Sequence, residues 1–534
     1  MLTLFVMQYL QPQPKPPVKV PPGAVNTPVA KDTAIAPAAE TAPAEVAPAP
    51  VMPLSASVAD SDETLVTVET DLYKAVFSTR GGTLRSFELK QYTKGKSVGG
   101  IKDLFLAILA GDMSKYSKED DSKIVLLKKG ASKKTLAIGS DNDYSISERN
   151  FQLSGGDLSL SPDGRKTGRL TFSYNRGGVS VKRVYDFSAG TYAMELEDTV
   201  SGLPHYQMTL GSDFGISDLA DAYIHVGPVL LSMNDREEFK SGKVDKPEIY
   251  PSPIKWIALE DKYFAGAAVI RDAMDEAVVW PEEGTTAIGV RGASGTHKLT
   301  IYGGPKEQAN LEAVGGELKY IVDFGYFSLI ARPIFWLLKQ LYAVIGNYGI
   351  AIILLTIMIR VPFIPLVNKG QKSMKKLQEL QPRITEMKQK YKNDPDRMNK
   401  EMMAIYSKHK VNPVGGCLPM LLQIPVFFAL YKVLMITIEL RGAPFALWIH
   451  DLAMKDPYYI MPVLMGVTML IQQKMTPTGG DPKMKKMLMW MPVVFTFISF
   501  NFPSGLVLYW LVNNMLSITQ QIFVNRAKDA EEPA

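Results

Sequence analysis

One cysteine, Cys417, stands among 534 residues, which excludes an intramolecular disulfide, so any folded unit is held by its own core even in an oxidising compartment. The chain also lacks a Walker phosphate loop, a nucleophile elbow and any His/Cys spacing suited to a metal. No covalent chemistry, no metal and no cofactor are therefore expected. A strong charge of either sign is missing too: +5 over this length gives no reason to expect DNA as a partner, and the distribution of charge matters more than its sum. A mean hydropathy near zero hides two unlike halves. Residues from about 56 to 325 read as a water-soluble protein, whereas after Phe327 apolar runs recur that are too long for strands and little broken by charge.

The first residues, 1–10, are apolar but span only half the ~20 residues a crossing helix needs. They have no basic leader and no small-residue cleavage site, and the expectation is the tail of a first transmembrane helix whose start lies upstream. Residues 11–55 are rich in Pro, Ala and Val with few aromatics, a composition that buries too little to fold and reads as a tether. From 56 to 325 the pattern alternates with period two between glycine breaks, as half-buried antiparallel strands require. Leu170, Phe172 and Tyr174 share a face, residues 175–178 supply a turn, and Val179, Val181, Arg183, Tyr185 and Phe187 return. The reading is a large β sandwich with few helices. Trp256, Tyr263 and Phe264 suit a sugar-binding platform or, more commonly for aromatics in such a domain, plain core.

Residues 326–345 mix Phe327, Ile330, Ile334, Leu337, Leu338 and Leu341 with Arg332, Lys339 and Gln340, which suits a helix lying in the membrane interface or a connector packed on the soluble domain. Within 346–525 five apolar segments follow, about 347–367, 418–438, 457–471, 487–500 and 505–524, of which the third and fourth are short for a crossing. Between Asn368 and Cys417 there are twelve Lys or Arg against five Asp or Glu, and Lys474, Lys483, Lys485 and Lys486 face only Asp481 in the next such loop. Both loops are expected on the cytoplasmic side, which puts the 439–456 loop and the β domain outside. The basic loop 368–417 carries two helical stripes, Leu377, Leu380, Ile384, Met387, Tyr391 and then Met398, Met402, Ile405, Tyr406, separated by Asn393-Asp394-Pro395. A cytoplasmic helical hairpin is predicted, its basic surface either a solvated face or a contact for anionic lipid or ribosomal RNA.

Arg360 lies about twelve residues into the first of these segments, where a charge costs ~2.5–3.5 kcal/mol on insertion scales and calls for a partner or water. Two readings stand: a functional buried cation, or a side chain snorkelling inward. Thr356 shares its face; Gln423, Thr468 and Gln472 lie toward the inner ends of the second and third segments; Trp510, Asn513, Ser517 and Gln520 form a stripe in the last. Thr496, Ser499 and Asn501 depart from this inward bias. A recess open to the cytoplasm satisfies the set better than a continuous pore, which would need polar residues along the outer half as well. Met420, Phe427, Phe428, Met435, Met489, Phe495 and Phe497 offer an adaptable apolar slide beside it, or ordinary packing.

The stretches GNYGIAIILLTIMIR, KVNPVGGCLPMLLQIPVFFALY, ELRGAPFALWIHDLAMKDPYYIMPVLMGVTM and FPSGLVLYWLVNN, with WIALEDKYFA and IYGGPK upstream, closely resemble the YidC proteins of Gram-negative bacteria. The resemblance covers nearly everything after the tether. It implies an α+β inner-membrane protein: a periplasmic β-supersandwich, then a five-helix core with a hydrophilic groove open to cytoplasm and lipid. It implies insertion of nascent membrane proteins, alone or with the Sec translocon, and not an enzyme. The family's groove arginine falls on Arg360, its nearby threonine on Thr356, and its last-helix aromatic on Trp510, where many relatives carry Tyr. Many relatives also end in a long basic tail that helps ribosome contact. Here 526–534 carries Asp529, Glu531 and Glu532 against Arg526 and Lys528, so any ribosome contact is expected through the hairpin. A secondary transporter with an outer solute-binding domain is the rival reading, although the chain shows no internal repeat. A second rival is a periplasmic carbohydrate-binding or chaperone domain for which the helices are only an anchor.

Overall fold

The computed structural model describes residues 63–110, 116–127, 135–141, 143–217, 224–391, 394–409, 418–475 and 482–529; the expected first-helix fragment and tether lie outside them. The strand-rich half is built on the hairpin the alternation predicts. Strands Thr167–Arg176 and Val179–Ser188 pair antiparallel with Arg176 opposite Val179. The turn is therefore only Gly177-Gly178, both with positive φ, the two-residue form whose twist matches paired strands. Seven more strands complete this sheet, and two five-stranded sheets lie against it. Phe77 of one small sheet meets Tyr185 and Phe187 of the large one at ring distances of 4.8 and 5.6 Å, and one apolar cluster joins all three sheets. Trp256 and Phe264 are buried in that cluster, with the Trp256 indole N–H donating to the Glu317 carbonyl at 3.3 Å. The platform reading therefore fails for both, since their faces are consumed by packing.

Period two places Arg183 on the buried face of its strand, and the fold answers with Asp198, its direct cross-strand partner. Nε and Nη2 donate to the two carboxylate oxygens at 2.8 and 3.1 Å. Nη1 donates to the carbonyls of Gly81 and Leu136 at 3.0 and 2.5 Å, and the Tyr206 hydroxyl donates to Asp198 at 3.0 Å. Both charges are wholly buried, and such a pair is costly to break on one side only.

Eleven helices occur among the described residues: α1 (Ile101–Ala110), α2 (Gln308–Val314), α3 (Ser328–Ile345), α4 (Tyr348–Arg360), α5 (Ile364–Glu379), α6 (Gln381–Lys390), α7 (Pro395–Lys408), α8 (Leu418–Ile436), α9 (Ile460–Met475), α10 (Pro482–Ser499) and α11 (Ser504–Asp529). Two continuous stretches, Gly325–Ile345 and Tyr348–Met374, are long and apolar enough to cross a membrane, and Gln423–Ile436 and Met489–Ser499 are shorter apolar helices. The first stretch passes that test despite Arg332 and Lys339. These two cations are engaged on the β-domain side, Arg332 over the Tyr320 ring at 4.9 Å and Lys339 Nζ 3.8 Å from the Glu439 carboxylate. The stripe from Leu377 to Tyr391 is not one helix. It breaks between α5 and α6 at Leu380, where Pro382 enters the first turn of α6 and cannot continue the preceding ladder. Leu377, Leu380 and Ile384 are nonetheless buried together, with Met402, Ile405 and Tyr406 of α7 against them. Asp394 caps α7 by accepting the Arg397 N–H at 3.0 Å.

Two measurements test this account. Asp198→Asn strands a buried guanidinium and is expected to cost ~3–5 kcal/mol, read as a lowered denaturation midpoint, while the double change Arg183→Met with Asp198→Leu recovers most of it. Glu439, by contrast, is an acid whose burial raises its carboxyl from the ordinary 4.5 to about 7. A raised acid contributes stability that is complete below the unfolded value and lost as pH climbs through the folded one. The melting temperature should therefore decline between about pH 4.5 and 7, and Glu439→Gln should flatten that decline.

Candidate functional site

The outer end of α4 is fixed first. Asn347 caps it by accepting the Ile350 N–H at 3.0 Å and donates to the Phe445 carbonyl at 3.0 Å. The helix then runs thirteen residues to Arg360, and Pro362 tightens the next turn, Val361–Phe363, into a 3-10 form because it offers no N–H and crowds the carbonyl four residues back. Arg360 thus leaves the chain at a break in the helix and reaches across to α11. Its Nη1 donates to Asn513 Oδ1 at 2.6 Å and its Nη2 to Ser517 Oγ at 2.7 Å. Asn513 and Ser517 are four residues apart, on one helical face. Gln423 of α8 brings its amide to the same Asn513 oxygen at 3.5 Å. Three helices therefore meet at one side-chain carbonyl.

Both acceptors of the guanidinium are neutral, and among the described residues no carboxylate pairs with it. Its Nε is buried with no hydrogen-bond partner. Thr356, Phe363, Val367, Val426 and Tyr509 complete the wall of the cleft. The Thr356 hydroxyl donates back to the Ile352 carbonyl at 2.6 Å and not to a group of the arginine. The free space left is about 10 Å³, room for about one water. The side chains sit closer together than a wide hydrated recess would have them.

Thr468 and Gln472 do not line this cleft. Thr468, on α9, meets another face of α11, accepting from the Asn514 amide at 3.3 Å, and donates to the Met465 carbonyl of its own helix at 2.8 Å; Gln472 is half-buried one turn further along α9. Trp510 is enclosed by Phe427, Phe495 and Phe502 at ring distances of 5.7, 4.7 and 5.5 Å. Of the apolar slide, Phe428 stacks on Phe327 at 5.9 Å, and Met489 and Phe497 are exposed. Met435 is buried in the helical core, because α3 covers the outer end of α8, and so is not on an open face. The side chain of Met420 lies outside the described residues. Tyr509 and Asn514 are the residues that sequence reasoning missed. Tyr509 stands one helical turn before Asn513, and that i−4 spacing was the available signal; the family position had drawn the eye to its neighbour.

Two family models match the chain: the YidC periplasmic domain over residues 107–337 and the 60Kd inner membrane protein over 340–531. A membrane protein insertase YidC of Geotalea daltonii is 41% identical over 482 residues, covering 87% of each chain. Its counterpart in Syntrophus aciditrophicus is 38% identical over 541 residues, covering 95% of this chain and 94% of that one. The crystal structure of an active YidC insertase with its first transmembrane domain resolved aligns over 86% of this chain and 92% of that chain, at 17% identity and a TM-score of 0.36.

Asn513→Ala removes the acceptor shared by Arg360 and Gln423. Since hydrogen bonds to charged groups are worth ~1.5–3 kcal/mol, its thermal stability in detergent is expected to fall clearly further than that of Thr468→Ala, which loses a long contact to Asn514 and a bond to a carbonyl of its own helix, both between neutral groups.

Proposed function

The chain belongs to the YidC family of membrane protein insertases and is an insertase, not an enzyme; we propose that it inserts its clients through the cleft at Arg360, in the inner membrane, with the β domain in the periplasm. The observation that carries this reading is the arginine itself, half-buried between α4, α8 and α11 and held, among the described residues, by neutral partners alone. A cation kept without a counter-charge in a low-dielectric site is a standing attraction for an anionic or strongly polar segment. A client's hydrophilic stretch enters from the cytoplasmic side, displaces Asn513 and Ser517 from the guanidinium, and so begins its crossing part-way through the hydrocarbon. Its apolar segment meanwhile moves into lipid along the exposed Met489 and Phe497 side of α10. The short α9 and α10 favour a locally thin bilayer, which lowers the remaining barrier.

Within the same reading α4, α8, α9, α10 and α11 form the five-helix core, α3 lies in the outer interface, and the α6–α7 hairpin stands in the cytoplasm, its lysines facing anionic lipid or the ribosome. Thr356, Gln423 and Asn513 with Ser517 line the client path; Thr468 and Gln472 contribute at its inner end once the helices part. Cooperation with the Sec translocon belongs to this proposal.

The test is reconstitution into liposomes with a small two-span client bearing an acidic loop. Loss of one charge-assisted contact, at ~1.5–3 kcal/mol, should slow insertion by on the order of tenfold in Arg360→Ala, with Arg360→Lys intermediate. Full activity of a folded Arg360→Ala protein on that client overturns the proposal.

A further inference from the structure

The β domain sends one arm toward the helices. Strands Thr83–Val98 and Ser117–Leu127 pair antiparallel, and α1 occupies the connection between them. Sequence reading gave this region to the β sandwich, and alternation offers no hint of IKDLFLAILA as a helix. The far end of the arm is tied at several points to the loop before α9. The Tyr116 hydroxyl donates to the Pro457 carbonyl at 2.5 Å, Lys455 Nζ donates to the Gly99 carbonyl at 2.6 Å, and Arg441 donates to the Thr93 carbonyl at 2.5 Å. Leu104 and Ala107 of α1 are buried against Tyr116 and Tyr459, with Phe500 alongside. Tyr459 immediately precedes α9 and Phe500 immediately follows α10, so α1 sits at the outer ends of both.

Its other face is apolar and open. Ile101, Phe105, Leu106, Ile108 and Leu109 are 51–69% exposed. A water-soluble domain has no use for such a ridge. In α9, whose start meets α1 at Tyr459, Val463, Leu464 and Val467 are likewise apolar and exposed one to two turns in. The helices α1 caps are also short: α9 has 16 residues, ~24 Å at 1.5 Å per residue, and the apolar part of α10 is shorter still, against a hydrocarbon core of ~30 Å. At the ends marked by Tyr459 and Phe500 the apolar surface of both helices continues onto α1.

We propose that this arm is a membrane-anchoring finger, with the open face of α1 lying among the acyl chains of the outer leaflet beside α9 and α10. The proposal rests on the membrane placement of the helical half given above. It ties the β domain to the bilayer through a second contact besides α3, and it extends the lipid-facing surface of two helices that would otherwise stop short.

The experiment uses full-length protein with Cys417→Ser and single cysteines introduced as Leu106→Cys, Leu109→Cys, Val463→Cys and Ser188→Cys, each labelled with an environment-sensitive fluorophore. The proteins are reconstituted into phosphatidylethanolamine–phosphatidylglycerol vesicles. Labels at 106 and 109 should be quenched several-fold more strongly by lipids carrying a nitroxide on the acyl chain than by aqueous iodide, as at 463, with the reverse at 188. If 106 and 109 follow 188 while 463 reports lipid, the finger is wrong and the membrane reading stands. Shielding of 106 and 109 from both quenchers, or lipid-like behaviour only with a client present, assigns the face to a protein partner and overturns the proposal equally. Should 463 also follow 188, the membrane reading fails and the finger with it.

Discussion

A guanidinium stays charged at any pH the protein meets, so burying one obliges the surroundings to satisfy it. This chain encloses Arg183 wholly and Arg360 in part, and solves the problem in opposite ways. Arg183 is neutralised by Asp198 and saturated by backbone carbonyls, the arrangement of a site meant never to change. Arg360 receives two neutral side-chain oxygens and keeps an unpartnered Nε. The first gives the β domain a fixed centre. The second leaves charge in reserve, and the packing of α4, α8 and α11 around it follows from that shortage.

The end of the helical half that meets the β-domain arm is closed by contrast. Asp456 gathers the Trp448 indole N–H at 3.0 Å and the Tyr458 and Met461 backbone N–H groups at 2.9 and 2.7 Å. Ser504 and Gly505, opening α11, donate to the carbonyls of Met454 and Leu452. Thr496 and Ser499, the residues that ran against the inward polar bias, spend their hydroxyls on carbonyls of their own helix at 2.7 Å each, so they offer nothing to a polar path. The polar groups that continue from Arg360 run the other way: Gln520 donates to Asn368 at 2.7 Å and Gln521 to the Met475 carbonyl at 2.6 Å.

What was legible in the sequence follows from what each signal encodes. Period two encodes which side chains face a core, so the hairpin at Gly177-Gly178 and the inward set from Val179 to Phe187 could be read directly, Arg183 included. Hydrophobic runs encode segments, so a helix lies over each of the five apolar runs of the second half, with bounds that differ by several residues. Pairing between segments is not encoded in either, and that is where reading stopped: Thr468 shares an inward bias with Gln423 yet faces Asn514, and Met435 looks like lipid-facing surface yet is covered by α3. A helix inside a hairpin connection escapes both periodicities at once when it is apolar apart from one charged pair near its start, as α1 is with Lys102 and Asp103, because it has neither alternation nor a clean polar stripe.

The neutral acceptors at Arg360 also bear on exchange. Were Asn513 an aspartate, the pair would gain Coulomb energy in a low-dielectric site, and an incoming polar segment would have to break an ion pair to engage the arginine. With an amide and a hydroxyl, a client acceptor trades one set of neutral hydrogen bonds for a set of similar number. The trade is close to balanced, and the released Asn513 can turn to Gln423, which already lies within 3.5 Å. A surface that must take up many sequences and release each of them into lipid needs contacts of that reversible kind, and a fully neutralised cation could not supply them.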